Sequence, residues 1–126
     1  MKLAIASNPA TFLSYEREKV FLNLSCENLV SHGNCDPRIT VQWIDIDNSI
    51  RMEERTEQLS NTPNPVFLTA VPIEFIFELK QKLRFLVYTM NNENDSLGIA
   101  ETTLGAIAGA PNQTLTLQLK GISHDK

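Results

Sequence analysis

Several kinds of residue are scarce in this chain of 126 residues, and each scarcity excludes a class of protein. The two cysteines are too few for the disulfide framework that small secreted domains usually need. Lysine and arginine number 11 against 15 acidic residues, so the chain lacks the basic field by which proteins bind nucleic acid. The same net charge of −4 disfavours strong attraction to an anionic membrane unless a bound cation intervenes.

Long apolar runs are also missing. No segment reaches the roughly 20 apolar residues that a membrane-spanning helix needs. The opening "MKLAIAS" resembles the start of a signal peptide, but its apolar run is short and the charged residues 16–19 follow soon after it. We therefore interpret this segment as a β-strand, and we expect a cytoplasmic protein, a setting that the small number of cysteines also fits.

The chain does contain short segments in which apolar and polar residues alternate, the pattern typical of strands with one buried face. The first begins at Lys19. The residues predicted to share buried strand faces are Val20, Leu22, Leu24 and Cys26; Ile39, Val41 and Trp43; Leu83, Phe85 and Val87; and Leu115, Leu117 and Leu119.

Clusters of Gly, Asn, Asp and Pro separate these segments, as in "NLVSHGNCDP" and "NTPNP". Four further segments read as strands, namely "KLAIAS", "RMEERTEQL", "VFLTAVPI" and "SLGIAETTL", and the charged "RMEERTEQL" is expected to be exposed or at an edge. Eight short strands with regular turns predict an all-β fold, an antiparallel Greek-key β-sandwich with its loops at two ends. The length predicts a single domain over residues 1–126.

The order of several motifs resembles that of a C2 domain, in particular the first C2 domain of the copine family. The matching segments are "FLNLSCENL", "CDP", "RTEQLSNTPNPVF", "QKLRFLVY", "DSLGIAETTLGAI" and "QTLTLQL". The recognisable core covers residues 19–120, with an N-terminal strand and connection over 1–18 and a tail over 121–126. The resemblance implies calcium-dependent binding of phospholipids. Copines join two C2 domains to a von Willebrand type A-like domain, and this sequence corresponds to one C2 unit.

The resemblance also makes a prediction about topology. In copine C2 domains a last strand is expected after the segment that corresponds to "TLTLQL", where this sequence has only "GISHDK". We therefore expect residues 2–7, or the nearby residues 11–15, to occupy that sheet position from the N-terminal side. This would be the circularly permuted form of the C2 sandwich.

Calcium sites need oxygen ligands with several carboxylates among them, because hard cations prefer hard anionic donors. C2 domains that bind calcium supply aspartates from two loops at one end of the sandwich. By resemblance, Asp36 and Asp95 retain two of these acidic positions. Val30, Thr89 and Asn91 stand at others, where none of them brings a charge.

The resemblance therefore implies a residual calcium site made of Asp36, Asn91 and Asp95, with Glu93 as a further candidate donor from the same loop. Calcium binding is expected to be weak or lost, because an amide oxygen can coordinate the ion but adds no charge. The alternative is structural: Asp36 forms a turn ahead of Pro37, and Asp95 caps nearby amides.

The tips of the same loops are predicted to carry Val30, His32 and Met90, which would contact lipid. The alternative is that these side chains pack loop against loop. Basic residues that could reach lipid headgroups from a sheet face are Arg38, Arg51, Arg55, Lys82 and Arg84. Acidic residues interleave with them, so we interpret this face as a solvated surface of ion pairs.

Catalysis is not expected. The His32 and Cys35 spacing lacks a third group to orient a nucleophile, and a zinc site lacks ligands. Our leading hypothesis is a cytoplasmic copine-type C2 module, peripheral at membranes, which associates with an anionic phospholipid surface through a depleted calcium site. The alternative hypothesis is a calcium-independent protein-interaction domain that presents an edge strand or a loop end to its partner. Nucleic acid is not an expected partner under either hypothesis.

Overall fold

The computed structural model of the chain describes residues 1–12, 17–31, 34–76, 79–90 and 94–121. Its strands are β1 (Lys2–Phe12), β2 (Arg17–Glu27), β3 (Pro37–Ile44), β4 (Ile50–Arg55), β5 (Val71–Ile76), β6 (Lys82–Met90), β7 (Asn94–Thr103) and β8 (Thr114–Gln118). A short helix, α1 (Leu104–Ala108), and a 3-10 turn (Pro111–Gln113) lie between β7 and β8. No helix in these ranges is long and apolar enough to cross a membrane.

The strands form two four-stranded sheets. Sheet A has the order β5-β2-β1-β8, and sheet B has the order β4-β3-β6-β7. All paired neighbours are antiparallel. The predicted eight-stranded antiparallel Greek-key β-sandwich is confirmed.

The N-terminal strand lies inside sheet A, between β2 and β8. Its residues 2–6 pair with β8 on one side, and most of its length pairs with β2 on the other. Leu3 and Ile5 are fully buried, so the apolar positions of "KLAIAS" supply the core face that the alternation predicts. The prediction that an N-terminal strand occupies this sheet position is confirmed.

The core consists of the inner faces of the two sheets. The predicted buried positions of β2, β3 and β6 are at most 8% exposed. In β8 the prediction is only partly right, because Leu115 and Leu117 are half-buried while Leu119 is 6% exposed. The physical reason is the position of β8 at the edge of sheet A, where none of the strands that the structure describes covers its far side.

Three predicted segments differ in detail from the structure. In "RMEERTEQL" the strand ends at Arg55, and the hydroxyl of Thr56 then accepts a hydrogen bond of 2.9 Å from the backbone N–H of Ile39. In "VFLTAVPI" only residues from Val71 onward belong to β5, whereas Val66 forms an isolated bridge with Ser25.

The connection "GAIAGAPN" is not irregular, because its first half belongs to the helix α1. The hydroxyl of Thr103 caps this helix by accepting a hydrogen bond of 3.1 Å from the N–H of Ala106. Leu104 and Ile107 are fully buried, so the helix is held by one apolar face. The helix was not predicted, because a segment of small residues shows no alternation of apolar and polar side chains.

After β8 the chain crosses from sheet A to the edge of sheet B. Ile99 of β7 and Lys120 exchange two backbone hydrogen bonds, of 3.0 and 2.9 Å. Gly98 lies beneath this crossing, where an added Cβ would be 3.1 Å from the Cβ of Leu119 and 3.4 Å from the carbonyl oxygen of Lys120. Glycine at this position therefore permits the close approach of two backbones.

We expect Gly98→Val to lower the free energy of unfolding by about 2 kcal/mol, because its side chain would overpack the crossing. Gly105→Ala is the matched control, since an added Cβ there meets nothing within 4 Å and alanine favours helix α1. Urea unfolding of both variants checks the prediction. A Gly98→Val variant as stable as the unsubstituted protein would contradict the close approach.

Candidate functional site

The structure brings three of the predicted chain segments together at one end of the sandwich. In the sheet B register, Thr89 of β6 stands opposite Pro37 of β3 on one side and opposite Asp95 of β7 on the other. Asp36 directly precedes Pro37. The backbone therefore aligns the predicted positions Asp36, Thr89 and Asp95 across three adjacent segments.

Thr89 holds two of these segments together. Its hydroxyl accepts a hydrogen bond of 2.9 Å from the backbone N–H of Asp36 and lies 3.3 Å from the carbonyl oxygen of Asn34, to which it donates. The residue is fully buried. A hydroxyl thus occupied is a structural crosslink at the position where the resemblance implies a charged calcium ligand.

Asp36 links two loops. Its Oδ1 accepts a hydrogen bond of 2.7 Å from the backbone N–H of Asn61, in the connection between β4 and β5. The alternative prediction was that Asp36 forms a turn with its own neighbours. The structure instead shows its carboxylate bonded to a backbone amide of another loop. A second link joins the same loops, because the Oδ1 of Asn64 accepts a hydrogen bond of 2.9 Å from the N–H of Asn28.

The donors that the structure describes at this end are engaged in hydrogen bonds between chain segments. Calcium takes about six to eight oxygens and prefers several carboxylates among them. The Thr89 hydroxyl accepts from the N–H of Asp36, and one carboxylate oxygen of Asp36 accepts from the N–H of Asn61. Within the described ranges, no group of three or more His, Cys, Asp or Glu residues could hold a metal ion.

Other members of the predicted calcium site lie wholly or partly outside the described residues. Asn91 and Glu93 lie outside the described residues, and for Asp95 only the backbone is described. The residual site of Asp36, Asn91 and Asp95 therefore stays a prediction.

Among the predicted loop-tip residues, Val30 is described and stands out into solvent with 73% of its surface exposed. Its neighbour Leu29 is buried, and the N–H of Leu29 donates a hydrogen bond of 2.9 Å to the carbonyl oxygen of Pro63. This anchor holds the backbone beside Val30 in place. Val30 therefore does not pack against another described loop, which was the alternative prediction for this residue. His32 and the side chain of Met90 lie outside the described part of the chain.

The two cysteines are buried thiols. Burial raises the pKa of Cys26 to about 12, and the nearby Cys35 adds to the effect. Burial likewise raises the pKa of Cys35 above its usual range. Because the thiolate is the reactive form of cysteine, Cys35 is poorly suited to act as a nucleophile at neutral pH.

The basic residues of sheet B are largely paired with acidic residues, as predicted. Glu101 of β7 lies 2.7 Å from the Nε of Arg84 and 3.8 Å from the Nζ of Lys82. The hydrogen bond from Arg84 lowers the pKa of Glu101. Arg55 pairs with Glu53 at 3.3 Å. These ion pairs reduce the positive field that this face could offer to a membrane.

A cleft of about 700 Å³ lies at the opposite end of the sandwich, far from the predicted site. Trp43, Arg51 and Leu79 contribute to its lining, and the Arg51 guanidinium lies 4.7 Å from the centre of the Trp43 ring. The sequence analysis did not predict this cleft, because it forms from the end of β3 and from turns that are distant in sequence.

Similarity to solved structures defines the fold. A C2 domain of RIM from Drosophila superposes with a TM-score of 0.71 at 16% identity, over 94% of this chain and 97% of that domain. The third C2 domain of the KIAA1228 protein gives 0.65 at 16% identity, over 99% of this chain and 91% of that domain. Human GIVD cytosolic phospholipase A2 gives 0.54 at 17% identity, over 82% of this chain but only 13% of the enzyme. The chain therefore has the C2 fold.

Similarity in sequence points to one group of C2 proteins. Copine-A of Dictyostelium discoideum is 34% identical over a match of 105 residues that covers 80% of this chain. The chain is thus a C2 domain related to the copines. It spans 18% of the length of Copine-A. No protein-family profile matches the chain.

The sequence analysis missed the residues that join the loops. Asn61 and Asn64 served only as markers of the resemblance, yet one donates its N–H to Asp36 and the other accepts from Asn28. The signal that could have found them is the abundance of short polar residues beside prolines, which favours side-chain hydrogen bonds to backbone amides.

We expect Thr89→Val to remove the amide protection of Asp36, because the valine keeps the shape of threonine but cannot accept the hydrogen bond from the Asp36 N–H. The lost acceptor should lower the free energy of unfolding by about 1–3 kcal/mol. Thr89→Ser is the matched control, since it keeps the hydroxyl. Amide hydrogen exchange followed by NMR checks the prediction. Equal protection of Asp36 in both variants would contradict the role given to the Thr89 hydroxyl.

Proposed function

We propose that this chain is a copine-type C2 module for association with anionic phospholipid membranes in the cytoplasm, and that its calcium response is weak or lost. The observation that carries the proposal is Val30, an apolar side chain with 73% of its surface exposed at the end of the sandwich that holds Asp36. The relationship to copines also supports the proposal that this end of the sandwich contacts lipid.

The position of Val30 is suited to contact with lipid. An exposed apolar side chain on an anchored loop loses little conformational freedom when it enters an interface, because the buried Leu29 already fixes the neighbouring backbone. Burying a valine side chain contributes about 1.5 kcal/mol or more. His32 and Met90 are proposed to add to this contact.

The proposed loss of calcium response is supported by hydrogen bonds. The Thr89 hydroxyl and the Asp36 carboxylate join the loops directly, so bringing the loops together does not require an ion. Asp36, Asn91 and Asp95, with Glu93, remain the proposed residual ligands. The net charge of −4 and the ion pairs of sheet B predict that affinity for anionic lipid is modest.

We expect calcium to bind with a dissociation constant of about 1 mM or weaker, because few carboxylates remain. Calorimetric titration measures this constant directly. In parallel, a modest fraction of the protein should sediment with phosphatidylserine-containing vesicles, and this fraction should change little between about 1 mM calcium and a chelator.

The outcomes of these two measurements are distinct. A dissociation constant in the micromolar range, or sedimentation that depends strongly on calcium, would contradict the depleted site. No sedimentation under either condition would contradict membrane association itself.

We expect Val30→Ser to lower the partition onto these vesicles by about threefold to tenfold, which is the loss of one partly buried valine. Ile46→Ser is the matched control, since Ile46 is a fully exposed apolar residue in the turn after β3, at the opposite end of the sandwich. Sedimentation of both variants with the same vesicles checks the prediction. Equal losses for the two variants would show that binding does not depend on the loop end.

A further inference from the structure

The sandwich has four edge strands, which are β5 and β8 of sheet A and β4 and β7 of sheet B. An edge exposes unpaired backbone groups, and natural proteins usually guard it with charge, proline or a covering segment. β7 is covered in part by the bridge from Ile99 to Lys120, and β5 contains Pro72 and Glu74. The guarding charges of β4 are Arg51, Glu53, Glu54 and Arg55. Only uncharged residues, "TLTLQ", form β8.

The direction of the backbone groups of β8 follows from its hydrogen bonds. The N–H of Leu119 donates to the carbonyl oxygen of Met1 at 3.0 Å, so odd-numbered residues direct their backbone groups toward β1. Even-numbered residues direct theirs away from β1, and Lys120 confirms this by bonding outward to Ile99. Among the described residues, no backbone hydrogen bond takes up the outward groups of Thr116 and Gln118.

Within the described strands, no neighbour lies on the far side of β8. Leu115 and Leu117 belong to the inner face of sheet A yet are only half-buried. Beside them lies a cleft of about 460 Å³, and its lining residues are Ile99, Ala100, Glu101, Leu117, Gln118 and Lys120, so its charges come from β7 and from the residue after Leu119 rather than from β8. A further strand along β8 would cover both leucines and pair with the outward backbone groups.

We propose that this strand is β8 of a second copy of the chain, paired antiparallel about a twofold axis through Thr116. In this register Thr116 faces its own equivalent in the partner copy, and the two leucines of one copy face the two leucines of the other. A twofold interface places each patch against itself, so any charge near its axis would meet a like charge. The absence of charge from β8 is the property that lets this edge be self-complementary.

The short length of β8 sets the strength of the dimer. A stable protein–protein interface buries about 800 Å² on each partner. A strand of five residues provides much less. The dimer is therefore weak, and it forms at high protein concentration.

Sedimentation equilibrium of the unsubstituted protein between about 10 μM and 1 mM tests the proposal. The apparent mass should rise with concentration toward that of a dimer. Thr116→Lys and Thr116→Glu each place like charges face to face at the twofold axis, so either variant alone should associate at least about fivefold more weakly. An equimolar mixture of the two variants should regain association, because lysine then faces glutamate.

Thr116→Val is the matched control, since it keeps the backbone N–H and the strand propensity and should associate as the unsubstituted protein does. Thermal unfolding of each variant verifies that the sandwich is intact. If the protein sediments as a monomer at every concentration, the proposal is overturned. The partner of the β8 edge would then be a different extended chain. Self-association by Thr116→Lys as strong as that of the unsubstituted protein would also overturn it, because the contact would then lie elsewhere. Neither result depends on vesicles or calcium, so the proposed membrane function is tested separately.

Discussion

The pairing of β1 with two neighbours is the constraint on which the rest of sheet A depends. Without β1, β8 would lose its strand partner in the described sheet, and β2 would keep only β5. Leu3 and Ile5 fix which face of β1 is buried, and a slip of one residue would turn both outward. The bond from Leu119 to Met1 then sets the phase of β8, and with it the direction of every backbone group along that edge.

At the loop end, hydrogen bonds replace part of what an ion does in a calcium-binding domain. An ion gathers oxygens from several loops and holds them together by charge. Here the Thr89 hydroxyl joins β6 to the residues before β3, and Asp36 and Asn64 join the loop after β2 to the connection after β4. In each of these bonds a backbone N–H donates to a side-chain oxygen of the protein itself, so no bound ion is needed to form it. In the proposed function these bonds stabilise the loop end without a cation, so the charge of the loop end would change little when calcium is added.

The sequence predicted the faces of the strands well, because alternation records which side of a strand meets the core. It predicted the half-buried state of Leu115 poorly, since alternation is blind to whether a strand lies at an edge. The helix after β7 was not predicted, because its cap is the single hydroxyl of Thr103 and its small residues are also typical of a turn. For the site, the resemblance located Asp36 and Thr89, but the bond between them depends on pairing across 53 positions of sequence. No local pattern contains that information.

The two ends and the open edge of the sandwich are related by geometry. β8 runs along the axis that joins the loop end near Val30 to the turn near Ile46. Antiparallel pairing of β8 with a second copy reverses this axis, so the two loop ends of such a dimer would point in opposite directions. Both ends could not then insert into one flat bilayer. If both proposals hold, the two loop ends of a β8 dimer would therefore have to contact separate surfaces, whereas the loop end of a monomer contacts one.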